Sequence, residues 1–231
     1  MYYYPDNYQS YGGFNFTVKF NEENVEVGYE RSKDLNKTVS SLYRLGSDTG
    51  PTLSFDTNNA FMHLFATPSS SMYQAYGGDF DFMLLEVEDD HVKMMGRRSG
   101  NIIVMKPLQE SPASYLAKIN TVLNDFADCG LSGLNGNIGG QEVKGSVNQA
   151  YQQVELSLGE ETKQVAYMFT PEGIRLYEPV EVGSSVADEF QFDPKTMTLT
   201  LAGTSESLQG SVPEGFRRYG EYAGEYWLYY N

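Results

Sequence analysis

Apolar and polar positions alternate along this chain in short bursts. Phe14, Phe16, Val18 and Phe20 are separated by Asn15, Thr17 and Lys19, a period of two that predicts a half-buried strand. The polar run from Asn21 to Asn24 turns the chain into Val25, Val27 and Tyr29, so the two segments predict a hairpin. Apolar runs follow at Val39 to Leu45, Thr52 to Phe55 and Phe61 to Phe65, separated by the turn chemistry of Gly46 to Pro51 and closed by Pro68 and its serines. A second hairpin is predicted from Phe80, Phe82, Leu84 and Leu85, through Glu88 to Asp90, into Val92, Met94 and Met95. Ile102 to Met105 reads as the last strand before Pro107. About eight short strands over residues 1–108, nearly all with short links, have the spacing of an antiparallel up-and-down meander, which can close as a lipocalin-like barrel.

The period then changes. Tyr115, Leu116, Ile119, Val122, Leu123 and Phe126 fall on one helical stripe, Ser111 with Pro112 supplies a start signal, and Gly130 a stop. A helix over residues 111–128 is predicted, with its apolar stripe packed on a sheet. Leu131 to Gly145 is rich in glycine and asparagine and reads as a long loop. Strands resume at Tyr151 to Leu158, Gln164 to Thr170, Gly173 to Tyr177, Phe190 to Phe192 and Met197 to Leu201. Tyr222, Gly224, Tyr226, Leu228 and Tyr230 again alternate with their neighbours up to Asn231, as an edge strand completing a sheet or as a strand cut short. The fold class expected is mainly β (α+β): a meander over 1–108, one central helix, and a second antiparallel β region over 129–231, truncated on the second of those readings.

Composition narrows the function. The 231 residues carry a net charge of −15, which repels phosphate backbones and anionic lipid, so no nucleic-acid partner is expected. One cysteine, Cys129, excludes an internal disulfide, and no thiolate pair is spaced for zinc. No metal or cofactor is therefore called for. No run of apolar residues reaches the length of a membrane-spanning helix. The 18 tyrosines, 13 phenylalanines and 23 glycines accord with a β-rich chain. Within the first half lies an echo: Tyr11-Gly12-Gly13-Phe14-Asn15-Phe16 is matched by Tyr76-Gly77-Gly78-Asp79-Phe80-Asp81-Phe82. In each copy a glycine pair permits positive φ or close backbone approach at the entry to a strand.

Tyr2-Tyr3-Tyr4-Pro5, Tyr11 to Phe16 with Lys19-Phe20, Ser41-Leu42-Tyr43, Gly50 to Thr57, His63, Gly77 to Phe80 and Met105 to Leu108 together resemble an uncharacterised family of Bacteroidetes lipoproteins built on a domain of unknown function. The resemblance lies mainly in residues 2–108 and continues more loosely through Thr170 to Pro179. It implies a periplasmic or surface lipoprotein of the cell envelope, near nutrient-uptake proteins of the outer membrane, and it implies no activity. Members of that family begin with a signal peptide, a lipid-bearing cysteine and a short helix, so membrane attachment would come only through an anchor absent from this chain.

Chemistry has few candidates. Asp56 and His63 are the pair to weigh for catalysis, because a carboxylate on a neighbouring strand could orient the imidazole. The plainer reading of His63 is a partly buried histidine satisfied by a cross-strand partner. For binding, Tyr4, Tyr11, Tyr43, Tyr73 and Tyr76, together with Asp79, are the candidates, since rings with a polar tip suit stacking on sugar faces or lining a peptide groove. The plainer alternative is ordinary cross-strand packing of tyrosines and turn capping by Asp79. The expectation is an exported, non-enzymatic accessory protein binding a glycan or peptide, with a hydrolase using acidic side chains, or a structural module of a surface complex, as alternatives.

Overall fold

A computed structural model describes residues 1–4, 8–47, 50–70, 73 and 75–216. The first part of the chain supplies β1 (Tyr2–Tyr3), β2 (Phe14–Phe20), β3 (Asn24–Tyr29), β4 (Val39–Leu42), β5 (Arg44–Gly46), β6 (Thr52–Ser54), β7 (Asp81–Val87), β8 (Val92–Gly96) and β9 (Ile102–Met105). They form one nine-stranded antiparallel sheet in the order β4-β3-β2-β1-β9-β8-β7-β6-β5. Chain neighbours are sheet neighbours except β4 and β5, and β1 with β9 joins the two runs into one meander. The short β1 joins the two halves of the sheet, Tyr2 facing Asn15 of β2 and Val104 of β9. The two ends of the order, β4 and β5, are joined through Tyr43. Asp56 and Asn59 cover the edge of β4, with Asp56 N–H donating to the Leu42 carbonyl (3.0 Å) and Asn59 Nδ2 to the Val39 carbonyl (2.9 Å).

The inward positions fill this barrel-like sheet. Tyr3, Phe16, Phe55, Phe82, Met94 and Ile103 are almost wholly buried. The run Phe61 to Phe65, expected as a strand, is instead a pair of helical turns over residues 60–66 that lids this core. Asn59 starts them: its Oδ1 accepts from the N–H groups of Phe61 and Met62, and its carbonyl accepts from His63 N–H at 2.8 Å. Met62 and Phe65 point into the core while Leu64 is exposed, a spacing that five residues cannot distinguish from a strand.

The helix α1 (Pro112–Cys129) has the predicted ends: Ser111 Oγ accepts from Ser114 N–H, and Gly130 stops it at φ +67°. Its stripe of Leu116, Ile119, Val122 and Phe126 is buried, with Phe126 packed on Tyr167, Phe169 and Phe192 of the second half.

That second half is a closed barrel of eight strands in simple order: β10 (Gly133–Ile138), β11 (Gln141–Asn148), β12 (Gln153–Leu158), β13 (Glu161–Phe169), β14 (Gly173–Val182), β15 (Ser185–Asp193), β16 (Thr198–Leu201) and β17 (Ser207–Ser211). Closure is by β10 on β17, Leu134 opposite Gly210. The expected long loop over Leu131 to Gly145 is thus a hairpin. Gly139 and Gly140, at φ +58° and +78°, make its turn, and Leu134, Ile138, Val143 and Val147 face the core. Gly136 and Gly145 sit on the same inward faces because the strands approach too closely for a side chain. A Cβ there would lie 2.3 Å from the Ser207 carbonyl oxygen and 2.5 Å from that of Glu155. The alternating segment Tyr222 to Tyr230 lies outside the described residues. Among those described, no helix is long and apolar enough to cross a membrane.

The barrels meet along a polar seam. Gly12 N–H donates to the Tyr151 carbonyl (2.8 Å) and Gly13 N–H to that of Tyr167 (3.0 Å). Asn15 is the hub: its Nδ2 donates to the Phe169 carbonyl (2.8 Å) and to Glu30 Oε2 (2.7 Å), and its Oδ1 accepts from the Tyr115 hydroxyl (2.9 Å). Glu30 is fully buried, and its other oxygen lies 3.3 Å from Arg31 Nε outside hydrogen-bonding geometry. Burial pushes its carboxyl above the usual range, against the lowering influence of Asn15 and Arg31.

Candidate binding surface

The two copies of the echo meet at one end of the first barrel. Tyr11 and Tyr76 are in edge-to-face contact with centroids 5.8 Å apart, and the Tyr11 hydroxyl donates to the Tyr76 carbonyl. Their glycines make this approach feasible. Gly13 lies against the Tyr4 ring, where a Cβ would come within 2.7 Å of a ring carbon, and a Cβ on Gly78 would lie 2.4 Å from both Phe65 Cβ and the Tyr3 hydroxyl. Gly77 adopts φ +77°, open to glycine without strain. The Phe65 carbonyl then accepts from both Tyr76 and Gly78 N–H groups at 3.0 Å, fixing this segment to the lid of the core.

Around that contact the surface is aromatic and open. Tyr8 is 89% exposed and Tyr73 88%, and the exposed Arg98 borders the depression beside each of them. Tyr8, Tyr11, Tyr76 and Arg98 border one depression of about 390 Å³, and Tyr73, Pro68 and Arg98 border an adjoining one of about 480 Å³. Arg98 is placed from below. Asp79, 4% exposed, accepts from the Arg98 N–H (2.8 Å) and the Ser99 N–H (2.9 Å), so its carboxylate sets the turn between β8 and β9.

Of the residues singled out from the sequence, Tyr11, Tyr73 and Tyr76 come together here, with Asp79 beneath them. Tyr43 lies at the opposite end of β2, its ring 5.1 Å from Phe20 and its hydroxyl donating to the Asn21 carbonyl (3.0 Å). Tyr4 is buried at the seam between the barrels, its hydroxyl donating to the Arg175 carbonyl (3.3 Å). Arg98 escaped notice in the sequence. Its one local signal is a turn, Arg97-Arg98-Ser99-Gly100, between two strands of the aromatic barrel.

Asp56 is exposed, and among the described residues no hydrogen bond joins it to His63. The His63 ring stacks on Phe80 at 4.3 Å, and its Nδ1 lies 3.1 Å from both the N–H and the carbonyl oxygen of Asn59. Partial burial pushes the imidazole below its ordinary pKa. No cluster of three or more His, Cys, Asp or Glu side chains arranged for a metal occurs among the described residues.

No curated protein and no solved structure matches the chain. One family model does match, over residues 1–194, a span that runs through the first barrel and α1 and past the end of β15 in the second. The chain therefore belongs to the family described as a domain of unknown function (DUF4302).

Proposed function

We propose that this chain is a non-catalytic binding module that holds a neutral glycan across the tyrosine surface of its first barrel. The observation that carries this reading is the pair of nearly fully exposed rings, Tyr8 and Tyr73, each bordering a depression that Arg98 also borders. Sugars present C–H faces that stack on such rings, and a guanidinium offers its N–H groups to neighbouring hydroxyls. An open shallow depression suits an extended chain of sugar rings better than one small enclosed ligand. The barrel beneath is filled by side chains, so its exposed rings, rather than a hollow interior, offer the binding area. A cell-envelope location, a lipid anchor in the parent protein and a place beside outer-membrane uptake proteins belong to the same proposal and rest on the resemblance of residues 2–108.

The test is a glycan array probed with the intact chain, followed by titration of the strongest hit against a Tyr8→Ala, Tyr73→Ala double variant. Binding of a neutral oligosaccharide that weakens at least tenfold in the variant is expected. No glycan binding, or binding indifferent to the two tyrosines, would overturn the reading. Selective capture on a parallel peptide array would replace the ligand class.

A further inference from the structure

A second cavity, of about 320 Å³, opens on the seam between the barrels, walled by Tyr2 and Val104 of the first and by Met168, Arg175, Tyr177 and Glu178 of the second. Its lining from the second barrel includes Arg175 to Pro179, the stretch where the ladder between β14 and β15 is interrupted. Arg175 faces Glu189, then the register shifts and pairing resumes only where Val180 faces Ala187. Pro179 falls in that interval and has no N–H to give to a ladder, which makes the interruption natural there. A bulge of this kind re-aims side chains, and Tyr177 and Glu178 line the cavity. Tyr4 braces the wall, its ring 4.6 Å from Tyr177.

The charges at the cavity are already matched. Arg175 lies 3.4 Å from Asp188 and stands over the Tyr2 ring at 5.4 Å, while Glu178 accepts from Gln9 Nε2 at 3.0 Å. An ionic ligand would have to displace one of these partners. A neutral polyol would not, because a guanidinium has five donors and a carboxylate about four acceptor sites, leaving capacity for hydroxyls. Tyrosine rings beside Val104 and Met168 supply an apolar face for the C–H side of a sugar. The volume is at the small end of the ligand-pocket range of about 300–1,000 Å³, enough for one ring rather than a chain.

We propose that this seam cavity is a separate binding site for a single neutral sugar ring, held between Tyr2 and Tyr177 with its hydroxyls on Arg175 and Glu178. The ligand class rests on the glycan reading above, but the two sites share no lining residue. Their failures are therefore distinguishable.

The test uses the isotopically labelled intact chain titrated with glucose, galactose, mannose and N-acetylglucosamine, with glucuronate as the charged control, and followed by amide NMR. Saturable shifts at Ile102, Val104 and Tyr177 with a neutral sugar are expected. They should weaken at least tenfold in Glu178→Gln and in the cavity-filling Val104→Trp, each with a native spectrum elsewhere, and persist in Tyr73→Ala. Shifts confined to Tyr8, Tyr73 and Tyr76 would overturn the seam site and leave the open surface standing. A stronger response to glucuronate, or no shift at the seam with any sugar, would overturn it as well.

Discussion

The phenol of Tyr3 and the main chain of Asp79 exchange two hydrogen bonds: the hydroxyl donates to the Asp79 carbonyl at 3.0 Å and accepts from the Asp79 N–H at 2.8 Å. Tyr3 is itself fully buried between Phe16 and Phe65, so the core of the first barrel reaches the residue that places Arg98. Tyr3→Phe keeps the ring and leaves both Asp79 groups unpaired. A loss of about 2–3 kcal/mol in urea unfolding is expected from two buried groups left without partners. Hydrogen exchange at the Arg98 and Ser99 amides should quicken in the same variant.

Gly12 lies tight against the second barrel, its N–H donating to the Tyr151 carbonyl at 2.8 Å. An added Cβ would lie 2.2 Å from the Tyr167 carbonyl oxygen and 2.3 Å from Gln152 Cβ, and the first of these is backbone that cannot swing aside. Gly12→Ala is expected to cost about 2 kcal/mol or more by overpacking. Denaturation followed separately at probes in each barrel should show the transitions parting company.

Glu30 makes stability depend on pH in an unusual direction. Its carboxyl is raised above the ordinary value of 4.5 by burial, so the folded chain holds the proton over a pH window in which the unfolded chain has released it. In that window the unfolded state binds fewer protons, and stability falls as pH rises towards the folded-state pKa. Glu30→Gln removes this contribution. Thermal unfolding at pH 4.5 and pH 8 should show the variant gaining on the wild type at the higher pH, and an equal difference at both would rule out Glu30 as the source.

Tyr8→Ala and Tyr73→Ala remove rings that are nearly all in solvent. Each is expected to change stability by no more than about 0.5 kcal/mol, as surface substitutions do. Binding of the array-selected glycan should weaken meanwhile by about 1 kcal/mol or more per ring, readable by calorimetry.

Much of this architecture is written in the order of residues. The β2–β3 and β7–β8 hairpins and both ends of α1 follow from alternation and capping alone, because each is decided by neighbours a few positions apart. What misleads are residues whose role is set by another strand. Gly136 and Gly145 look like loop glycines, yet they are inward strand positions squeezed by Ser207 and Glu155. Phe61 to Phe65 has strand composition, and Asn59 winds it into turns. The candidate surface is half legible for the same reason. The repeated Tyr-Gly-Gly marks Tyr11 and Tyr76, but no local pattern says that Tyr4 belongs to the seam, Tyr43 to the far end of β2, or Arg98 to the tyrosines.

The pairing of β10 with β17 bears on how the domain should be cut. The family match ends at residue 194, whereas the strand that pairs with β10 spans Ser207–Ser211. A fragment ending at the family boundary would lack both β16 and β17, stripping partners from β10 on one side and β15 on the other. Two long strands would then present bare N–H and carbonyl rows to other molecules, an invitation to self-association. An expression boundary at or beyond residue 211 is the one that leaves no such edge on the second barrel.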